Sequence, residues 1–414
     1  MEFVGRKKEL KELESIYGSN KPELILVYGR RRLGKTTLIK KSLPKNSLYF
    51  LLTKEKPLLN LKNFKEGLKK INPLLADVNA DSWEEYFRKT HEFIPENFVI
   101  VLDEFPYLVS QDKSLKSQFQ KIYDEYLKPR NIKLILCGSS KSIMEDLQSY
   151  ESPLYGRRTK SVKLKPFSLK ESFQFLKKGT GELKLKIHLI TGGIPYYLEQ
   201  FIDVENEKNL EENLLSEMSI FNDEAYFLLK EDFKEISNYF TILKYIARGK
   251  ESFTEISDVS LVEKSSLSKY LQNLERMGYV KNEKSFFSKQ NSKKTKYVLI
   301  DNFLYVWFNV IYKYLNNEKH DLNTVFGKLF EQETRNIYSK HYEEVKPYFK
   351  KEVEIDFLAR KNNNILCVEC KFTSKVNDSV LKSLKNKIKE LPSGYDYKAK
   401  VISLNDLELL LKLT

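Results

Sequence analysis

Three stretches of this sequence hold residue types whose chemistry depends on their spacing. In ELILVYGRRRLGKTTLIKKSL, an apolar run from Leu24 to Val27 leads into G-x-x-x-x-G-K-T and then into a helical pattern. Gly29 and Gly34 let backbone N–H groups wrap a phosphate, and Lys35 reaches the outer phosphates. Thr36, followed by Thr37, offers a hydroxyl to Mg2+ at a helix N-terminus. Arg30, Arg31 and Arg32 lie inside the same loop, where they can touch phosphate or stay solvated.

The second stretch, NFVIVLDEFPYL, ends an apolar strand in Asp103 and Glu104. A parallel strand delivers such side chains to the ligand edge of a sheet. Asp103 would hold Mg2+ through water, leaving Glu104 to orient or deprotonate an attacking water. A further strand, KLILCGSS, ends in Ser139 and Ser140. Ser139 suits sensing of a terminal phosphate, although serine pairs also begin helices. Downstream, SPLYGRRTK offers Arg157 and Arg158. A guanidinium brought to that phosphate, in cis or from a neighbouring copy, stabilises transition-state charge; the alternative is a surface pair on a turn.

The third stretch is VEIDFLARKNNNILCVECKF, residues 353 to 372. With KNNN as a four-residue loop, the flanking strands pair antiparallel, so that Asp356 faces Glu369 and Glu354 faces Lys371. Period-two alternation puts these four on one face and Ile355, Phe357, Val368 and Cys370 on the other. Carboxylates opposed across a strand pair cost about 0.2 to 1 kcal/mol unless a cation sits between them. Two carboxylates and water suit Mg2+ or Mn2+, and Lys371 can position or activate a hydroxide for in-line attack on a phosphodiester. Cys367 and Cys370 form a C-x-x-C, but on a strand they face opposite sides and read as buried thiols.

The elements that must position these residues come from the whole chain. At 414 residues it is too long for one ordinary core, and two to four domains are expected. With 41% hydrophobic and 31% charged residues it reads as globular, and the strand–loop–helix order of the first stretch puts it in the α/β class. A balance of 71 Lys+Arg against 57 Asp+Glu, net +14, favours a polyanionic partner such as nucleic acid, although abundant lysine can also reflect a general compositional bias. The charged start, MEFVGRKKEL, has no apolar signal core, and FLYVWFNVIY is half the length that crosses a bilayer. The expectations are a cytoplasmic location and no membrane partner; three cysteines, an odd number, fit a reducing compartment.

Residues 236 to 283 give three short helical patterns, marked by Leu243 and Ile246, by Phe253 and Ile256, and by Leu267, Leu271 and Leu274. They are followed by a strand pair whose return strand lies in SKKTKYVLI. The arrangement looks like a winged helix-turn-helix. Off the apolar stripe of its third helix stand Ser265, Ser268, Lys269, Gln272 and Asn273, able to meet bases or phosphates. Lys281, Lys284, Lys289, Lys293, Lys294 and Lys296 add charge to the wing. Such modules also serve as packing or docking units.

FVGRKKEL, the phosphate loop, VLDEFPYL, CGSS, SPLYGRR and GGIPYYL together resemble the archaeal ATPase family, a branch of the AAA+/STAND P-loop ATPases. The resemblance covers about the first half of the chain. It implies ATP and Mg2+ as ligands, with Phe3, Val4 and Arg6 on the base side of the nucleotide. It also implies a P-loop parallel-sheet core over 1–162 and a helical lid over 163–235 hinged at Gly192, Gly193 and Pro195. The winged helix-turn-helix follows over 236–300. Residues 301–414 carry a D…E-x-K pattern similar to the PD-(D/E)xK nuclease superfamily. They also show that superfamily's order: a helix near 322–341, strands near 345, 355 and 368, a helix at 377–390 and a strand at 398–403. That resemblance implies a restriction-endonuclease-like domain in which Glu331, or its rival Glu333, joins Asp356 and Glu369 at the metal. The proline that often precedes the aspartate is missing, and an inactive fold used for docking is the alternative. The function expected is ATP hydrolysis coupled to DNA binding and DNA cleavage, against a nucleotide-switched binding module that cuts nothing. Oligomerisation follows if Arg157 or Arg158 acts in trans.

Overall fold

The computed structural model describes residues 3–289, 291–292, 294–350 and 352–414. The chain divides into two compact units, Met1–Pro166 and Phe167–Thr414. In the first, five strands form a wholly parallel sheet: β1 (Leu24–Tyr28), β2 (Ser47–Leu51), β3 (Val99–Asp103), β4 (Lys133–Gly138) and β5 (Lys160–Lys163), in the order β2-β3-β4-β1-β5. β1, β3 and β4 are buried throughout, as expected of parallel strands covered on both faces. One face packs an aromatic cluster in which Phe64, Trp83, Tyr86, Phe87 and Phe119 meet Leu24, Leu26, Ile100 and Leu134. Because all strands point one way, the ends of β1, β3 and β4 share one edge, and β4 stands between the phosphate-loop strand and the Asp103 strand.

The second unit contains all three segments expected behind the front domain. Helices Leu169–Phe175 and Gly181–Thr191, in the segment expected to form a lid, come first. Gly193 after them is required for space: a Cβ there would lie 2.2 Å from the Phe167 carbonyl, whose own N–H bonds back to the Gly193 oxygen at 2.7 Å. Helices Ser237–Ala247, Phe253–Ser260 and Lys264–Met277 then precede the hairpin of β6 (Val280–Lys284) and β7 (Thr295–Leu299). Helix Asn323–Tyr338, strands β8 (Glu344–Lys350), β9 (Val353–Lys361) and β10 (Asn364–Lys371), helix Asp378–Ile388 and strand β11 (Asp396–Ser403) complete it. Its sheet runs β11-β10-β9-β8, with only the β10–β11 pair parallel.

These segments interlock. Lys186 of helix Gly181–Thr191 lies over the rings of Phe326 and Phe372, and the Trp307 indole N–H donates to the Phe221 carbonyl at 2.8 Å. The wing is spent on packing. Phe286 is 5% exposed inside the core of the C-terminal sheet with Tyr348, Ile355 and Leu384, and its N–H donates to the Pro347 carbonyl of edge strand β8. Arg335 and Glu283 add a buried ion pair at 2.9 Å between wing and helix.

The strand pair quoted above keeps the expected register, with Val368 opposite Phe357 and Ile365 opposite Arg360. Its connection is shorter than the four-residue loop expected. The strands run to Lys361 and from Asn364, and Asn362 turns the chain with φ +55°. The strict alternation does not hold. Asp356 and Phe357 together oppose the single residue Pro347, making a β-bulge where proline cannot donate to the ladder. Ile355 and Leu358 therefore enter one core cluster, whereas Phe357 packs on Tyr338. Glu354, Asp356, Glu369 and Lys371 do not form one continuous face.

Candidate functional site

At the front sheet edge, Gly29 is fixed by contact: a Cβ would stand 2.6 Å from the Leu164 carbonyl. Gly34 caps the helix Lys35–Ser42 in the left-handed region, φ +79°. Lys35 is 6% exposed and its ammonium donates to the carbonyls of Gly29 and Arg30, each at 3.0 Å. Burial lowers its pKa. The Thr36 hydroxyl donates to Asp103 Oδ2 at 2.7 Å, and Thr37 is exposed beside it. Arg6 is 5% exposed and bonds the carbonyls of Leu33 in the loop and of Lys165; Phe3 and Val4 are half-buried just before it.

Asp103 is 2% exposed and well supplied with donors. Besides Thr36, the Tyr49 hydroxyl donates to Oδ2 at 2.6 Å, the Glu104 N–H to Oδ1 at 2.9 Å, and the Cys137 thiol lies against the carboxylate. Burial pushes the pKa up, but these donors outweigh it and hold Asp103 below the usual carboxylate range. Glu104 sits in the left-handed region, φ +55°, a strain of roughly 1 kcal/mol for a residue with a Cβ. Ser139 Oγ lies 3.0 Å from each Glu104 oxygen, so the serine expected to sense phosphate holds this glutamate here.

The Lys35 ammonium, the Thr36–Asp103 bond and the glycine-lined loop fit a nucleoside triphosphate with Mg2+, for which Thr36 and Asp103 are the candidate holders. Arg157 instead pairs with Asp124 at 3.0 Å, and Arg158 bonds Gln148. Both guanidiniums are used locally within the single chain. Tyr49 and Cys137 were missed in sequence; a tyrosine inside the apolar run SLYFL was the available signal.

In the second unit, Asp356 accepts the Cys370 N–H at 2.7 Å. Burial first, then the charges of Glu331 and Glu369, push its carboxyl up to about 6. Glu331 is thus the helix glutamate that faces Asp356, whereas Glu333 faces His188 at 3.4 Å. Burial would raise Glu333, but the imidazole outweighs it and the pKa is lowered. Glu369 is 5% exposed and taken by two lysines, Lys387 at 2.6 Å and Lys371 at 3.7 Å. Among the described residues no three His, Cys, Asp or Glu side chains come together as a metal-holding group, so Glu331, Asp356 and Glu369 are not assembled as the triad expected. Glu369 is instead bonded by Lys387, sixteen residues beyond the strand pair on helix Asp378–Ile388, which no local pattern links to it. The three cysteines are free and buried.

On helix Lys264–Met277, Ser265, Ser268, Lys269 and Gln272 are exposed, but Asn273 is bonded to the Tyr239 hydroxyl at 2.8 Å and faces the module's interior. Of the wing lysines, Lys281 pairs with Glu283, and Lys296 with Glu251 and Glu354. Lys284 is half-buried, Lys289 and Lys294 are exposed, and Lys293 lies outside the described residues. No helix among the described residues is long and apolar enough to cross a membrane.

Residues 3–201 match the ATPase domain predominantly from Archaea, residues 236–284 the IclR helix-turn-helix domain, and residues 324–408 a domain of unknown function, DUF4143. An uncharacterized protein of Methanocaldococcus jannaschii is 33% identical over 429 residues, 98% of this chain and 94% of its own. An uncharacterized ATP-binding protein of the same organism is 61% identical over 41 residues, 10% of this chain and 70% of its own. Among solved structures, the Walker-type ATPase of Pyrococcus abyssi superposes with a TM-score of 0.55 at 22% identity over 74% of this chain and 96% of that one, a likeness of fold.

Proposed function

The chain belongs to the archaeal P-loop ATPases, and from that premise we propose that it hydrolyses ATP in a Mg2+-dependent reaction and couples nucleotide state to DNA binding. The observation that carries this reading is the Thr36–Asp103 bond at 2.7 Å on the edge where Lys35 and the Ser139-held Glu104 also stand. Lys35 binds the outer phosphates once it leaves the loop carbonyls. Glu104 orients or deprotonates the attacking water, which Asp103, committed to its donors, is not free to do. Thr36 and Asp103 would hold Mg2+, which would neutralise phosphate charge when bound there. Phe3, Val4 and Arg6 lie where the base side of the nucleotide is proposed. Arg157 and Arg158 act on phosphate only if they exchange Asp124 and Gln148 for a neighbouring copy's nucleotide.

The DNA contact proposed is the exposed face of Ser265, Ser268, Lys269 and Gln272, since the wing is occupied by Phe286 packing. The test is steady-state ATP turnover of wild type and Lys35→Ala, each with and without duplex DNA. Turnover abolished in Lys35→Ala and stimulated by DNA in wild type supports the reading; equal turnover in both proteins refutes it.

A second reading concerns residues 301–414. Asp356, pushed up to about 6 by burial and by Glu331 and Glu369, is a carboxyl short of positive charge, which favours capture of Mg2+ or Mn2+ and metal-dependent cleavage with Lys371. Plasmid nicking in Mn2+ that vanishes in Asp356→Ala while ATP turnover persists would support it. No nicking by wild type leaves a docking domain.

A further inference from the structure

Asp103 Oδ2 has both of its acceptor positions used. Each carboxylate oxygen offers about two lone-pair sites, and those of Oδ2 take the Thr36 and Tyr49 hydroxyls, while the Glu104 N–H bonds Oδ1 and the Cys137 thiol lies against the carboxylate. An aspartate that supports from behind a hydrated magnesium ion held at Thr36 must accept a bond from it on this oxygen, so one donor has to leave. The Glu104 N–H is backbone, the Cys137 thiol is fully buried in β4, and Thr36 is itself required at the cation. Tyr49 differs from all three. It stands on β2, the edge strand of the sheet, and its ring is half-buried. It is also held from outside by Lys40, whose ammonium lies 4.6 Å from the ring centroid and one turn beyond Thr36 on the same helix.

We propose that Tyr49 is a latch on Asp103, occupying the acceptor that a hydrated magnesium ion needs and releasing it when magnesium and nucleotide enter together. The proposal rests on the nucleotide-site reading above and adds to it a residue that sets the magnesium requirement. Tyr49 acts through Asp103 and is a positioning residue. Its sign is opposite to that of a support: removing a support weakens magnesium-dependent binding, whereas removing a competitor tightens it.

The test is equilibrium binding of a fluorescent ATP analogue to full-length wild type and Tyr49→Phe, titrated with magnesium and repeated in EDTA. In Tyr49→Phe the magnesium concentration at half-saturation falls about tenfold, the scale of one hydrogen bond to a charged group, while the affinity in EDTA is unchanged. Lys40→Met, which frees the ring but keeps the hydroxyl, shifts it in the same direction by about twofold. It stands in as the test if Tyr49→Phe fails to fold. A half-saturation point that is unchanged or higher in the folded variants, with binding in EDTA intact, overturns the latch and spares the nucleotide site. Failure of wild type to bind the analogue under either condition overturns both.

Discussion

Asp103 and Asp356 are two strand carboxylates withdrawn from water, and they are held in opposite ways. Asp103 receives two hydroxyls and a backbone N–H with a thiol alongside, and its pKa is lowered despite the burial that pushes it up. Asp356 receives one N–H and faces Glu331 and Glu369, and it is pushed up to about 6. Burial is common to both, so the donor count and the neighbouring charges decide the outcome. The front carboxylate is stable as an anion before any cation arrives. The rear one gains from a proton, a cation or a lysine, and its partner Glu369 has already taken Lys387.

The sharpest way to separate the two regions is Glu104→Gln. Turnover of ATP is expected to fall about 10²- to 10⁴-fold, the worth of a general base, with nucleotide binding retained. Single-turnover kinetics with binding measured in parallel checks it, and a change of less than threefold would remove Glu104 from the chemistry. Next in size is Phe286→Ala, which empties a buried site between wing and sheet. It is expected to cost about 3 to 4 kcal/mol in denaturant unfolding and to leave nucleotide affinity at the front edge unchanged.

The comparison itself is tested by matched Asp→Asn changes. Asp103→Asn is expected to destabilise by about 2 kcal/mol at pH 7, because an acceptor of several charge-assisted bonds is lost. With its folded pKa lowered, that contribution is present above the unfolded value of 3.8 and disappears as pH falls through the folded pKa. Asp356→Asn has the opposite sign. The ionised form carries a penalty above about pH 6, which fades between 6 and 3.8, so the variant is more stable than wild type by about 3 kcal/mol at pH 8 and close to it at pH 4. Thermal melts of both variants at pH 4 and 8 suffice, and two shifts of the same sign would break the contrast. The smallest effect expected is that of Lys269→Ala, which lowers the slope of log affinity for duplex DNA against log salt by about one unit. An unchanged slope would take that helix off the DNA.

Much of this was legible in the sequence, for local reasons. The phosphate loop, the apolar strands ending at Asp103 and at Ser139, and the three helix-turn-helix patterns are carried by contiguous residues, and the structure places each where its periodicity puts it. The register of the rear strand pair was legible too, since a short turn leaves few ways to pair. The bulge at Asp356 and Phe357 is signalled across from them by Pro347, a proline inside a strand. Lys387 on Glu369, Phe286 in the C-terminal core and Tyr49 on Asp103 were not legible. Each depends on tertiary approach between segments that no period or motif connects.

The most direct test of the claim that the front edge is a prepared magnesium–nucleotide site is calorimetric titration of wild type and Lys35→Ala with ATP in Mg2+. One binding event per chain in wild type, and none in Lys35→Ala at the same concentrations, is the result expected. The same heat in both proteins, or none in wild type, contradicts it.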